Sequence, residues 1–442
     1  MKMRHSLFTA ILVLMFAGFN LNGKSQTTSD TISFQEILSI ALANNFQLTV
    51  LNNEVEIVQN NNTAGSAGLL PTVGISATNN NSVTNSRQTF YDGRVREATH
   101  AFNNSFNALA SLNWTVFEGR KLMAEKYKLE ELENIGIINL QYQTELLSLN
   151  LATLYYQLVQ EQKLLQVLRY TLEVSRARLV LAEKKFSLGA ASEVDLNQAR
   201  IDWSTDSTSL IRQDVMIKNL VADINALAGR SPEIKFSAVH DIFLREKANY
   251  NSLLDSMLAQ NYSLLLMRAD VQVKFLNIRQ KRAATMPALS LFTNYQYNTS
   301  RSETGIVETS TQTGPAFGFN LNYTLFDGLN NRREIANSKL EHQSAQVRVD
   351  ETINALHTGL YKMFNTYTGA EKQVTLEQKN LENARKNLSI AIELYKSGAI
   401  NEIEFRDIQR KALEAENRLL VAEYTTKIAE LSLRQISGTL RF

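Results

Sequence analysis

From Glu118 to Leu188 the chain runs without a proline, with Gly119 at its start and one glycine, Gly136, further in. At 1.5 Å per residue a helix of ~71 residues reaches ~106 Å. A second proline-free stretch, 327–397, follows at an offset of 209. Proline inside either would remove a hydrogen bond and clash with the carbonyl four residues back. Only four prolines stand in the 442 residues, where average usage predicts roughly 22. Their places are informative. Pro71 and Pro287 sit at equivalent helix-to-strand transitions, Pro315 opens the last strand, and Pro232 lies in a connector. Proline is absent wherever ~100 Å of uninterrupted helix is required.

Heptad spacing runs along both stretches. Leu147, Leu151, Leu154, Leu158, Glu161, Leu165, Leu168, Leu172, Ser175 and Leu179 become Leu356, Leu360, Met363, Tyr367, Ala370, Val374, Glu377, Leu381, Ala384 and Leu388 when shifted by 209. Such 3-4 spacing predicts coiled-coil packing. A return helix follows each, with a seam through Ala199, Trp203, Asp206, Leu210 and Gln213, and another through Ile408, Ala412, Ala415 and Leu419.

The chain is written twice. Ile37–Leu48 aligns with Leu253–Leu264 at an offset of 216, which also carries Pro71 onto Pro287. Leu112–Arg120 aligns with Leu321–Leu329 at 209, as do Gly189 with Gly398 and Asp195 with Glu404. The difference of seven residues falls in one loop, so the halves read as a duplicated supersecondary unit.

Between helices the period switches to two. Val73 and Ile75 alternate with Thr72, Gly74 and Ser76; Phe106, Ala108, Ala110, Leu112, Trp114 and Val116 alternate with Asn107, Ser111, Asn113 and Thr115. In the second half Leu289, Leu291, Tyr295 and Tyr297 face away from Ser290, Asn294, Gln296 and Asn298, and Phe317, Phe319, Leu321, Tyr323 and Leu325 away from Gly318, Asn320, Asn322 and Thr324. Apolar, aromatic-bearing alternation over ~10 residues has the length of a transmembrane barrel strand. A half-buried hairpin of a soluble sandwich stays open as the other reading. On the barrel reading Trp114, Leu289, Leu291, Tyr295, Phe317, Phe319, Leu321 and Tyr323 form the lipid face. The polar stretches Asn79–His100 and Thr299–Gly314 are expected as outer loops.

The expected organisation is a signal peptide at 1–25, a first repeat at 26–229, a mid-column connector at 230–248 and a second repeat at 249–442. The first repeat holds a hairpin at about 70–117, a long helix at 118–188 and a return helix at 192–229; the second holds them at about 287–326, 327–397 and 401–438. Lengths match a column of one long helix beside two short ones laid end to end. The return helix Ser192–Gly229 is expected to stack on Asn249–Ala284, and Asn401–Gly438 on Ser33–Ala67. Four strands cannot close a barrel, and an open edge is not tolerated in lipid. Several copies must therefore share one barrel. The fold class is mainly α with β-barrel strands.

Composition narrows function. Lys2 and Arg4 precede an apolar run, Leu7–Phe19, and a small-residue zone at Gly23–Ser25, the pattern of a secretory signal peptide. An N-terminal anchor helix is the alternative, disfavoured by the short apolar core. From Gln26 onward 43 bases face 44 acids, so no basic excess points to nucleic acid. There is no cysteine, and the five histidines lack metal-ligand spacing. No catalytic grouping, metal site or cofactor motif stands out.

The two turns at the helix tips are alike. Phe186–Ala199 reads FSLGAASEVDLNQA and Tyr395–Gln409 reads YKSGAINEIEFRDIQ. Gly189 and Gly398 suit a left-handed C-terminal cap, and Ser192 and Asn401 suit N-caps. With the duplicated plan, these motifs resemble the TolC family of outer-membrane efflux ducts, and the resemblance covers nearly the whole chain after the signal. It implies a homotrimer in the outer membrane of a Gram-negative bacterium, with a 12-stranded barrel and a periplasmic α-barrel. It further implies a passive duct of an efflux pump or type I secretion system, a periplasmic adaptor, an inner-membrane transporter and contact with outer-membrane lipid. A secreted coiled-coil scaffold and the adaptor itself are the competing readings.

By the same resemblance the pore constriction is lined by Glu404 and Asp407, six and nine residues after Gly398, with Tyr395 as the aromatic of the closed-tip lock. At i and i+3 the two acids share a helix face, and three copies would stack two carboxylate rings. Two solvated surface acids are the alternative. The first repeat has Asp195 and Gln198 there. Ile400 stands where the best-known member has an arginine, so closure is expected to rest on packing more than on ion pairs.

Overall fold

The computed structural model describes residues 31–239 and 249–441. The signal peptide and the last part of the connector lie outside the described residues. The chain begins with a short strand, β1 (Thr31–Ile32), then α1 (Phe34–Asn44), α2 (Phe46–Asn61) and a hairpin, β2 (Thr72–Thr89) and β3 (Val95–Glu118). Next come α3 (Lys121–Ser187), α4 (Glu193–Leu227) and β4 (Ser237–Ala238). The second half repeats the plan as α5 (Tyr250–Gln260), α6 (Tyr262–Ala283), β5 (Ala288–Ser302), β6 (Thr309–Asn322), α7 (Asn330–Ser397) and α8 (Glu402–Ile436). With 67 and 68 residues, α3 and α7 are each about 100 Å long.

Both long helices start from the same tight turn. Gly119-Arg120 and Gly328-Leu329 are consecutive left-handed residues, with φ of +53°, +68°, +69° and +65°. A Cβ on Gly119 would lie 2.6 Å from the Ala283 carbonyl oxygen, so this turn seats the start of α3 against the end of α6.

Two sequence expectations about the short helices are corrected. The helix expected from Ser33 to Ala67 is broken at Asn45, and the one expected from Asn249 to Ala284 is broken at Asn261. Each asparagine caps the following helix through its Oδ1, accepting from Leu48 N and Leu264 N. The stacking partners are also exchanged. Asn45 Nδ2 donates to the Leu227 carbonyl at 2.9 Å, and Asn261 Nδ2 to the Ile436 carbonyl at 2.9 Å. Thus α4 abuts α2, and α8 abuts α6, each within its own repeat. Helix length could not distinguish these pairings, because α2 and α6 occupy equivalent places; one cross-joint hydrogen bond does.

At mid-height β1 pairs in parallel with β4, Thr31 opposite Ser237 and Ile32 opposite Ala238. Beneath them lies the largest core, where Phe34, Ile37 and Ala41 meet Leu151, Tyr155, Leu158 and Ile224. The Tyr155 hydroxyl donates to the Ile32 carbonyl at 2.9 Å and accepts from Val239 N at 3.0 Å.

The sheet order is β2-β3-β5-β6, antiparallel throughout. The columns follow the same order: α2 over α4, then α3, then α6 over α8, then α7. Register places Trp114 opposite Leu291, Leu291 opposite Phe319, and Leu289 opposite Leu321. Directly opposed side chains share a face, so Trp114, Leu289, Leu291, Tyr295, Phe317, Phe319 and Leu321 lie on one side. Phe317 is 82% exposed there. Tyr323 lies one residue past the end of β6.

The strands outrun expectation. Stretches expected as outer loops are paired, leaving only residues 90–94 and 303–308 as turns. Loss of apolar alternation had marked these stretches as loops, but pairing needs only backbone partners. Asn104 Nδ2 also bridges the Asn79 and Asn81 side chains at 2.7 and 2.5 Å. A bulge between Thr115 and Phe117 sets Phe117, rather than Val116, opposite Leu289. On the polar face Phe292 lies over Gly318, where a Cβ would come within 2.8 Å of its ring.

Candidate functional site: the helix tips

The far ends of α3/α4 and α7/α8 hold the predicted site. Both long helices stop the same way. Gly189 (φ +72°) and Gly398 (φ +78°) take the left-handed conformation. Ala190 N then reaches back to the Lys185 carbonyl, and Ala399 N to that of Leu394, each at 2.8 Å. This is the closing bond of a Schellman cap. Ser192 opens α4 through a capping box: its Oγ accepts from Asp195 N at 3.1 Å, and the Asp195 carboxylate accepts from Ser192 N at 3.0 Å. Those bonds from Ser192 hold the Asp195 carboxyl below its ordinary range. Asn401 caps α8, accepting from Glu404 N at 2.8 Å.

Behind the turns lies a buried ionic cluster that joins all four helices. Arg178 of α3, 4% exposed, pairs with Asp202 of α4 at 3.0 Å and with Glu402 of α8. Its guanidinium also lies 5.2 Å over the Phe405 ring. Arg406 of α8 makes a two-pronged bond to Asp206 of α4 at 2.8 and 2.9 Å. Hydrogen bonding to Asp206 raises the Arg406 pKa further above its ordinary value. Ser175 of α3 donates to Asp206, and Gln409 of α8 accepts from both Arg178 and Arg406, at 3.2 and 3.1 Å. Breaking one member of such a set strands a buried charge, at a cost of about 3–5 kcal/mol. The cluster therefore fixes hairpin α3/α4 against hairpin α7/α8 in one register.

Tyr395 belongs to this cluster. It is buried, its ring centroid lies 5.0 Å from that of Phe405, and its hydroxyl donates to Glu402. Burial pushes its phenol pKa up. Glu404 and Asp407 are placed elsewhere, on a more open face of α8. Glu404 is exposed, and Asp407 pairs with Lys411 and Arg410, each at 2.7 Å. These two bases hold the Asp407 carboxyl below its usual range. Tyr395 thus does not meet the two acids.

Ile400, where closure by packing is expected, lies against Tyr395 and Phe405, and ion pairs from Arg178 and Arg406 stand behind it in the same tip. Sequence reading did not single out Arg178, Asp202, Glu402 or Arg406 as site residues. One signal was present: Ser175 and Asp206 occupy apolar seam positions of their heptads, and a charge in a seam needs a partner.

No helix among the described residues is long and apolar enough to cross a membrane. The exposed apolar face belongs to the sheet instead.

The profile of the family described as Outer membrane efflux protein matches residues 37–230 and 253–439, one segment in each repeat. The chain is 21% identical to Outer membrane protein TolC of Salmonella enteritidis over 358 residues, covering 79% of this chain and 72% of that one. It is 23% identical to the alkaline protease secretion protein AprF of Pseudomonas aeruginosa over 60% of this chain and 56% of that one. The CmeC outer membrane channel of Campylobacter jejuni superposes with a TM-score of 0.79 at 16% identity, covering 92% of this chain and 85% of that one. The scaffold and adaptor readings fall with these matches. The chain belongs to the outer membrane efflux protein family: it is an outer-membrane efflux channel of a Gram-negative bacterium, and it conducts rather than catalyses.

Proposed function

We propose that three copies form one continuous duct, with a 12-stranded barrel in the outer membrane and a helical barrel in the periplasm. The observation that carries this is the matched order of strands and columns. It leaves one edge at β2 with α2/α4, and the other at β6 with α7. Exposed apolar residues recur at seven and then fourteen residues on both lateral edges: Val194, Ile201 and Val215 on α4, and Leu340, Val347 and Tyr361 on α7. Those stripes are coiled-coil seams awaiting a partner, and joining edge to edge three times pairs both seams and strands. The face bearing Trp114, Leu291, Phe317 and Phe319 meets lipid. Scattering or native mass measurement on the detergent-extracted protein should give three chains; a monodisperse monomer with folded strands overturns the reading.

The helix tips form the gate. The buried cluster around Arg178 and Arg406 holds the hairpins together when closed, and Glu404 and Asp407 contribute carboxylate rings at the constriction, which favour cations. A periplasmic adaptor and an inner-membrane transporter supply the cargo, its selection and the energy, as in efflux pumps and type I secretion systems. The duct itself is passive.

A further inference from the structure

Where the strands meet the helices, a cavity of about 550 Å³ opens between the start of α3 and the end of α6. Arg120, Arg279 and Arg282 line it together with Met123, Tyr127 and Met286. None of the three guanidiniums is ion-paired among the described residues. Arg279 is steadied by the Phe275 ring, 4.8 Å from its guanidinium carbon. All three are exposed, so together they give this rim a local positive field suited to an anion.

The repeat supplies an internal control. At the matching positions of the other half stand Leu329 for Arg120, Thr63 for Arg279 and Ser66 for Arg282. Leu329 takes the same left-handed turn, φ +65° against +68° for Arg120. The turn itself therefore needs no arginine, and neither matching position on the helix side carries one.

Position points to the ligand. Arg120 lies two residues beyond the end of β3, and Arg282 six residues before the start of β5, so both sit just beneath the first apolar layer of Phe117, Leu289 and Leu321. That is the headgroup level on the periplasmic side. The cavity also opens outward. Met123 and Tyr127 stand 28 residues, a whole number of heptads, before Leu151 and Tyr155, whose side of α3 is covered by α1, β1 and β4. A body of that size on the inner wall would obstruct the lumen, so this side of α3 faces the outside.

We propose that this cradle binds an anionic phospholipid of the periplasm-facing leaflet. The three guanidiniums hold the phosphodiester, and Met123, Tyr127 and Met286 carry the upper acyl chain. The cradle favours net-anionic over zwitterionic headgroups, since the ammonium of the latter would lie among the arginines. The proposal rests on the barrel reading of the sheet.

The test is native mass spectrometry of the full chain in detergent, titrated with dihexanoyl phosphatidylglycerol, dihexanoyl phosphatidylcholine or inorganic phosphate. Phosphatidylglycerol should bind at least tenfold more tightly than phosphatidylcholine. Replacing Arg120, Arg279 and Arg282 together by Gln should weaken it at least tenfold, with single-channel conductance unchanged. Inorganic phosphate at equal concentration should not displace it. Equal lipid binding by the variant, no preference over phosphatidylcholine, or equal affinity for free phosphate overturns the proposal. Loss of the channel in the wild-type protein would instead count against the duct. If the triple variant does not assemble, Arg279→Gln and Arg282→Gln singly should each weaken binding at least threefold; no change in both overturns it.

Discussion

Arg406 of α8 grips Asp206 of α4 through both terminal guanidinium nitrogens, at 2.8 and 2.9 Å. The two residues are 200 apart in sequence and belong to different repeats. With Arg178, Asp202 and Glu402 they form the ionic joint between the two tip hairpins. Asp206→Asn keeps the shape and removes the charge, leaving Arg406 half-buried without its partner. The joint should lose roughly 2–4 kcal/mol, and the channel should leak at rest. Single-channel recordings should show higher closed-state conductance, partly corrected by exchanging the charges with Asp206→Arg and Arg406→Asp. Unaltered resting conductance would dissociate the joint from gating.

On the proposed gate, the two acids of α8 should contribute unequally. Asp407 already faces Lys411 and Arg410, whereas Glu404 is exposed with only its backbone engaged by Asn401. Glu404→Gln should therefore reduce cation preference more than Asp407→Asn, and the double variant should show the largest loss. Reversal potentials in a salt gradient report this. Identical selectivity in all three variants would make both acids part of a solvated surface.

Two kinds of glycine should respond differently to substitution. Gly398 has φ +78° and open space around a Cβ, so Gly398→Ala should cost about 1 kcal/mol from backbone conformation alone. Gly229 has φ +64°, and its Cβ would lie 2.4 Å from the Asn44 carbonyl oxygen. Gly229→Ala should therefore cost clearly more, by opening the joint of α4 with α2. Thermal unfolding of the assembled protein ranks them; the reverse ranking would refute the close seating of that joint.

Glu145 sets a pH dependence. It is buried on α3 beside the mid-column joint, with Gln435 Nε2 at 3.4 Å, and burial pushes its carboxyl from 4.5 up to about 7. The folded state thus binds this proton more tightly than the unfolded chain. Its contribution to stability is fully present below about pH 4.5 and is lost as pH rises through about 7. Glu145→Gln should leave stability near pH 4.5 little changed and raise it at pH 8 relative to the parent, by up to roughly 3 kcal/mol. A parent-to-variant difference that does not move with pH would rule out the shift.

Much of the tip was legible before the fold was known. The glycine and the N-cap three residues on are local requirements of one helix ending and another starting. Tyr395 was also singled out. Its partners Arg178 and Glu402 were not, because each is an ordinary charged helix residue until four helices converge. Asp206 and Ser175 were visible as misplaced polar residues in apolar seams, yet nothing local shows that they meet each other and Arg406.

The sequence by itself determined the duplication, the unbroken long helices, the alternating faces of the strands and the glycine turns. These follow from backbone conformation and side-chain period, which act over a few residues. Only the tertiary structure decided that α4 stacks on α2 and α8 on α6, that polar stretches continue as strands, that Phe292 covers Gly318, and that the tips are joined by buried ion pairs. Each of these is a choice among surfaces of equal length and similar polarity. Such choices are settled by which hydrogen bonds and charges find partners across the assembled columns.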